Sequence, residues 1–86
     1  MDKYIMTTEE KENRMAEELN DCYQDLFGKV IELQEKYPST MIAGSLVAQA
    51  LRIYKTTLND EEFESMIDAI AKSQSKIEPF DQPIFH

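Results

Sequence analysis

The sequence predicts an all-α fold: a three-helix protomer that forms a dimeric helical bundle and carries an extended C-terminal arm. Three observations carry this prediction. Apolar residues recur at helical spacing in the first half of the chain, a nearly uncharged apolar stretch follows Pro38, and a helix-capping pattern begins at Asn59. We expect one helical domain over residues 8–77, between an N-terminal arm of residues 1–7 and an extended tail of residues 78–86.

Helix 1, the longest, is predicted to begin after Thr7, which has with Glu10 the spacing of a capping box. An apolar stripe then advances in steps of 4, 3, 4, 4, 3 and 4 residues: Met15, Leu19, Cys22, Leu26, Val30, Leu33 and Tyr37. Such heptad-like spacing indicates an amphipathic helix. Pro38 is expected to end it, because the residue before a proline is pushed out of the helical region.

A second apolar strip lies beside this stripe on helix 1. Its members are Ala16, Tyr23, Phe27 and Ile31. The two strips together cover about half of the helix circumference, which is wider than a single core contact requires. Cys22 is interpreted as a small buried apolar residue of the first stripe.

Helix 2 is predicted from Ser39, taken as its N-cap, to about Thr57. Its only charges are Arg52 and Lys55, and its apolar residues extend most of the way round. A helix with this pattern is typically buried at the centre of a structure, so we expect a buried helix 2.

Helix 3 is predicted to be short, with Asn59 as its N-cap. Glu62 completes a capping-box-like pair, and Leu58 with Phe63 has the spacing of a hydrophobic staple. The helix is expected to fray by Ser75, and the two prolines of the tail cannot continue it.

The predicted helix lengths indicate a homodimer that packs through helix 1. Residues 8–37 would span about 45 Å and residues 60–75 about 24 Å, so one chain cannot cover both ends of helix 1. Met15, Leu19 and Cys22 are then expected to stay partly exposed in a single chain, and so is much of the second strip. A chain of this size also has a small core, for which oligomerisation is a common remedy. The alternative is a helix 1 bent at Gly28 and folded back on the chain.

The candidate interaction surface combines the stripe, the second strip and the apolar residues of the tail. Its members are Met15, Leu19, Tyr23, Phe27, Ile31, Phe80, Ile84 and Phe85. The tail residues have the pattern of an extended arm that docks in an apolar groove of its own dimer or of a protein partner. The equal alternative is an arm that closes over the core of its own chain.

Charge and composition exclude several functions. The net charge of −8 argues against direct nucleic-acid binding, and no apolar run reaches the roughly 18 residues of a membrane span. One cysteine excludes an internal disulfide and fits a reducing compartment, so we expect a cytoplasmic protein. Residues 1–38 carry −5, residues 39–58 carry +2 and residues 59–86 carry −5. We interpret the acid as a solubilising coat; the alternative is attraction of a basic partner.

The sequence offers little catalytic material, and we expect neither an enzyme nor a bound metal or cofactor. The only histidine is His86, so histidine-based nucleophile activation and zinc sites lack their residues. Acidic pairs such as Glu18 with Asp21 have the helical spacing used by all-α Mg²⁺-dependent nucleotide pyrophosphohydrolases. Asn13 stands where the third acid of that family's first cluster should follow. This class of enzyme stays open as an alternative.

The stretch from Met41 to Phe80, with its apolar helix and the Leu-Asn-Asp-Glu-Glu-Phe helix start, resembles small uncharacterised acidic helical proteins of tailed, especially marine, bacteriophages. The resemblance covers about half of the chain. It implies a phage source, the host cytoplasm and a role directed at a host protein, and it transfers no catalytic residue. The hypothesis is a non-enzymatic protein that acts by protein–protein interaction. A structural or assembly component of a virion is a further alternative.

Overall fold

The computed structural model describes residues 7–80, and all regular secondary structure in that range is helical. The elements are α1 (Thr8–Leu33), α2 (Ser39–Thr57), α3 (Asp60–Lys72) and a short 3₁₀ helix (Gln74–Lys76). The all-α class and the three helices are therefore confirmed. The chain divides into two compact units, Met1–Glu35 and Lys36–His86, and each is described in turn.

The described part of the first unit is built on α1, a helix of 26 residues. Thr7 is its N-cap, as predicted, and the Thr7 hydroxyl oxygen accepts a hydrogen bond of 3.1 Å from the backbone N–H of Glu10. The negative charges of Glu9 and Glu10 in the first turn interact favourably with the positive end of the helix dipole. The helix is continuous through Gly28, which was considered as a kink site.

The C-terminal end of α1 lies at Leu33, four residues before the predicted end at Tyr37. The backbone N–H of Gln34 closes the helix by donating to the carbonyls of Val30 and Ile31. A turn then follows before Pro38, because the residue ahead of a proline is driven towards extended backbone. At 1.5 Å per residue, α1 is about 39 Å long rather than about 45 Å.

The second unit begins with α2, whose bounds Ser39–Thr57 agree with the predicted ones. Its N-cap is Pro38 rather than Ser39, and no side chain caps this end. The Pro38 carbonyl accepts from the backbone N–H groups of Met41 and Ile42, both at 3.1 Å. Ser39 is the first helical residue, one position too late for its hydroxyl to act as an N-cap.

The start of α3 confirms the predicted capping box. The Asn59 side-chain oxygen accepts from the backbone N–H of Glu62 at 2.8 Å, and the Glu62 carboxylate accepts from the backbone N–H of Asn59 at 3.0 Å. Two of the unsatisfied donors of the first turn are thereby paired. The helix ends at Lys72, and the 3₁₀ helix follows Ser73.

Contacts between α2 and α3 hold the second unit together. Leu51, Tyr54 and Leu58 recur at steps of three and four residues along one face of α2 and its end, and all are half-buried. Phe63 and Met66 are half-buried on α3.

The junction of α2 and α3 also carries charged contacts. The Lys55 ammonium lies 4.9 Å above the centroid of the Phe63 ring and 3.3 Å from the Asp60 carboxylate. Apolar packing and this exposed cation–π contact therefore act on the same short junction.

The structure of a single chain does not show the buried helix 2 that the sequence predicted. Ile42 is the one buried residue among residues 7–80, while Met41, Val47 and Ile53 of α2 are more than half exposed. The prediction assumed neighbours on every side of α2, and α3, with only 13 residues, is too short to provide them. No helix within residues 7–80 combines the length and apolarity required to cross a membrane.

Candidate interaction surface

Most of the apolar stripe on α1 is exposed to solvent. Met15 and Leu19 are 68 % and 72 % exposed, Leu26 is 55 % exposed, and Cys22 between them is exposed as well. The interpretation of Cys22 as a buried apolar residue does not hold in the single chain. Its exposure, like that of Met15 and Leu19, agrees with the expectation that one chain leaves part of helix 1 uncovered. Burial of a helix face requires a second element against it, and periodicity alone does not supply one.

The stripe changes in burial along α1. Val30 and Leu33, in its C-terminal part, are half-buried, whereas the four stripe residues before them are exposed. Exposed large apolar side chains that adjoin on one helix face mark interaction sites in soluble proteins more often than scattered ones do.

The second strip lies next to the stripe and contains an aromatic pair. The rings of Tyr23 and Phe27 are stacked, with centroids 6.3 Å apart and an angle of 17° between their planes. Tyr23 is 52 % exposed, and Phe27 and Ile31 are half-buried. α1 therefore brings together all five candidate residues that were predicted on it, from Met15 to Ile31.

The candidate residues of the tail are only partly described. Phe80, in the second unit, is 48 % exposed. Ile84 and Phe85 lie outside the described residues, and so do the first six residues of the predicted N-terminal arm.

The flank of the stripe opposite the second strip is charged. At about 100° per residue, Glu18, Asp25 and Lys29 lie on that side of α1. Within α1, Glu18 pairs with Arg14 at 4.0 Å and Lys29 pairs with Glu32 at 3.5 Å. Both pairs are exposed, and such pairs contribute only about 0.3–0.5 kcal/mol each. The charged flank is therefore free to exchange these contacts for others at low cost.

Sequence reasoning missed several exposed apolar residues as candidates for the site. Leu26 belongs to the stripe, but was not included in the interaction surface. Met41, Val47 and Ile53 of α2 are 59 %, 58 % and 62 % exposed, and were assigned to a buried core. A signal was available in the length of α3, which spans about 20 Å against about 28 Å for α2 and leaves part of α2 without cover.

Within the described part of the chain, no three or more histidine, cysteine or acidic side chains are grouped as metal ligands would be. The described acidic residues are all exposed, and most of them lie on helices. Asp68, for instance, pairs with Lys72 one turn later at 2.7 Å. The arrangement is that of a solvated surface with i, i+4 ion pairs.

Comparison of the chain with protein-family models, curated proteins and solved structures finds no match.

Proposed function

We propose that this protein is a non-enzymatic helical interaction module, homodimeric through α1, that acts by binding another protein. One observation carries the proposal: the stripe of α1 exposes large apolar side chains on one face, with Met15, Leu19 and Leu26 all more than half exposed. Covering such a face removes apolar surface from water, which stabilises association by about 25 cal/mol per Å².

The chain has two apolar faces, and the proposal assigns them different roles. The stripe serves self-association, since it is long and bordered by charge on one side. The adjoining strip with the Tyr23–Phe27 pair serves the protein partner, because aromatic side chains are enriched at the centres of protein interfaces. The excess acid keeps the assembly soluble.

The resemblance to bacteriophage proteins makes a host protein the proposed target and the host cytoplasm the proposed location. The described acidic residues are all exposed, and this supports a surface that meets solvent and a partner rather than a catalytic centre.

The first test is the mass of the full chain in solution. At micromolar concentration, light scattering should report twice the chain mass of 10.0 kDa for the wild type. Leu19→Lys should shift the protein to monomer, because it places a charge in the face that the proposal buries. Gln24→Lys, with a similar change in side-chain charge on the opposite and solvated face of α1, should remain dimeric.

A wild type that is monomeric under these conditions would contradict the proposal, as would equal effects of the two lysine variants. Mg²⁺-dependent hydrolysis of nucleoside triphosphates by the purified wild type would favour the pyrophosphohydrolase alternative.

A further inference from the structure

We infer that the occupant of the α1 stripe is the α1 stripe of a second copy of this chain, running antiparallel, with the two-fold axis passing at Leu26. The inference rests on the proposed homodimer, and adds its orientation and register. It places Cys22 of each copy against Val30 of the other.

The spacing of the stripe is the first reason. Six of its residues lie within α1, and all except Met15 are symmetric about Leu26, at steps of 3, 4, 4 and 3: Leu19, Cys22, Leu26, Val30 and Leu33. A two-fold axis at Leu26 therefore places each of them opposite another member of the stripe. Leu26 meets Leu26, Cys22 meets Val30, and Leu19 meets Leu33. A self-complementary patch of this kind is what a two-fold interface requires.

The repeat of the stripe keeps these layers on one side of the helix. Leu19 and Val30, like Cys22 and Leu33, are 11 residues apart. An 11-residue repeat corresponds to about 3.67 residues per turn, close to the 3.6 of a straight helix. Two such helices remain in contact over the paired layers with little supercoiling.

Burial is complementary in this register. Leu19 and Cys22 are exposed, and Val30 and Leu33, which they would face, are half-buried. Each pairing thus covers the remaining surface of a half-buried residue with an exposed one from the other copy.

The flanks of the stripe distinguish the antiparallel pair from a parallel one. In a parallel pair, the two-fold axis runs along the helices, and each flank meets the opposite flank of the other copy. Asp25 and Lys29 would then face the strip that contains Tyr23 and Phe27. In an antiparallel pair, the axis is perpendicular to the helices, so the charged flank meets the charged flank. The two apolar strips then lie side by side along the other edge of the pair, where a protein partner can cover both.

Charge also selects the register. With the axis at Leu26, Asp25 of each copy lies about 3 Å along the helix axis from Lys29 of the other, at 1.5 Å per residue. Two opposite-charge contacts form in this way, beside one approach of Asp25 to Asp25 and two of Glu18 to Glu32 of the other copy. Lys29 therefore meets an opposite charge in this register. An alternative register, with the axis between Asn20 and Asp21, also aligns stripe residues. It brings Glu18 of each copy close to Asp25 of the other, and Lys11 of each copy close to Lys29 of the other. Those contacts are between like charges.

The native cysteine makes the orientation measurable in the full chain. Along the paired helices, Cys22 of one copy lies eight residues, or about 12 Å, from Cys22 of the other. That exceeds the Cα separation of about 7 Å that a disulfide tolerates. Val30→Cys places a second thiol directly opposite Cys22 of the other copy. Within one helix, positions 22 and 30 are also about 12 Å apart, so an intramolecular bridge is excluded.

The experiment is oxidation of wild type, Val30→Cys and Gly28→Cys by oxidised glutathione, with the bridges mapped by mass spectrometry. We expect the Val30→Cys protein to form a covalent dimer in which Cys22 of each copy is bridged to the introduced thiol of the other. Its yield should be at least tenfold higher than that of either other protein. Gly28 is the matched control, since its added side chain points into open space on the far side of α1.

Efficient Cys22–Cys22 bridging in the wild type would overturn the inference, and so would bridging between the two introduced thiols in the Val30→Cys variant. A wild type that is dimeric by light scattering, with no bridge from Cys22 to the introduced thiol in the variant, would refute the register and leave the proposed function standing. A monomeric wild type would refute both. Should Val30→Cys fail to fold, Leu19→Cys combined with Leu33→Cys on a Cys22→Ala background tests the next layer, with the same expected bridge between copies.

Discussion

Asn59 caps the start of α3 through two hydrogen bonds with Glu62, one accepted and one donated. Its side chain accepts from the Glu62 N–H, and its own N–H donates to the Glu62 carboxylate. Both contacts are local, so they depend on residues three positions apart and on nothing else in the chain. This explains why the capping box could be predicted from four letters of sequence.

Replacing Asn59 by alanine should therefore destabilise the protein. The change removes the acceptor for the Glu62 N–H, and we expect the free energy of unfolding to fall by about 1 kcal/mol. Urea denaturation followed by circular dichroism measures this change. Asn59→Ser keeps a side-chain acceptor, so its free energy of unfolding should fall by only a few tenths of that amount. Equal losses in the two variants would contradict a capping role.

Single residues also show that helical periodicity does not predict burial. Leu19 and Ile42 are both aliphatic residues at helical spacing, yet Leu19 is 72 % exposed and Ile42 is 6 % exposed. Periodicity identifies the apolar face of a helix, but the neighbour that covers the face comes from elsewhere in the chain or from another molecule. Periodicity therefore placed the candidate residues of α1 on two adjacent apolar strips, and their role as an interaction surface stays a prediction.

At the scale of elements, α1 is long for a chain of this size, and it contains a glycine at a position where the structure does not require one. Gly28 has an ordinary helical backbone, and a side chain added there would meet nothing within 4 Å. Glycine in a helix interior is less favourable than alanine because its unfolded state has more conformational freedom.

Gly28→Ala should accordingly stabilise α1 by about 1 kcal/mol. The expected result is a higher melting temperature and greater helicity by circular dichroism, with the solution mass unchanged because this position lies away from the stripe. Gly44→Ala in α2 is the companion variant, since that position is equally open in the single chain. A loss of stability in Gly28→Ala would mean that its face of α1 packs against something.

The ends of the helices could be predicted from neighbouring residues to different extents. α2 ended at Thr57 as predicted, and α3 began after its predicted cap, because the capping residues and Leu58 act within a few positions. α1 ended four residues early. Pro38 excludes helical backbone only at the residue before it, and it does not determine how many further residues leave the helix.

At the scale of the whole molecule, the single chain has a small buried core in its described part and large exposed apolar surfaces on α1 and α2. Small domains of this kind gain much of their stability from association. On the proposed dimer, the stability of the protein should depend on its concentration, and the charged flank of α1 should influence the dissociation constant.

The proposed antiparallel register predicts a charge-swap result. Asp25→Lys or Lys29→Asp alone should weaken the dimer about fivefold, because each variant replaces two opposite-charge contacts between copies by like-charge ones. The double variant Asp25→Lys/Lys29→Asp should recover most of the loss, since the opposite charges again face each other.

Sedimentation equilibrium at low salt measures these constants, and 1 M NaCl should reduce the differences through screening. Lys29→Asp, alone or in the double variant, also removes the ion pair between Lys29 and Glu32 within α1, so the helicity of each monomer is the control. Additive losses in the double variant, with no recovery, would contradict the register.

The three helices, the N-caps of α1 and α3 and the apolar faces of α1 followed from the amino-acid sequence, because hydrogen bonds at helix ends and the 3.6-residue period are properties of neighbouring residues. The exposure of Cys22 and the exposed surface of α2 were decided at the level of tertiary packing. Burial depends on which surfaces meet, and contacts between residues distant in the chain carry no period that a single sequence displays.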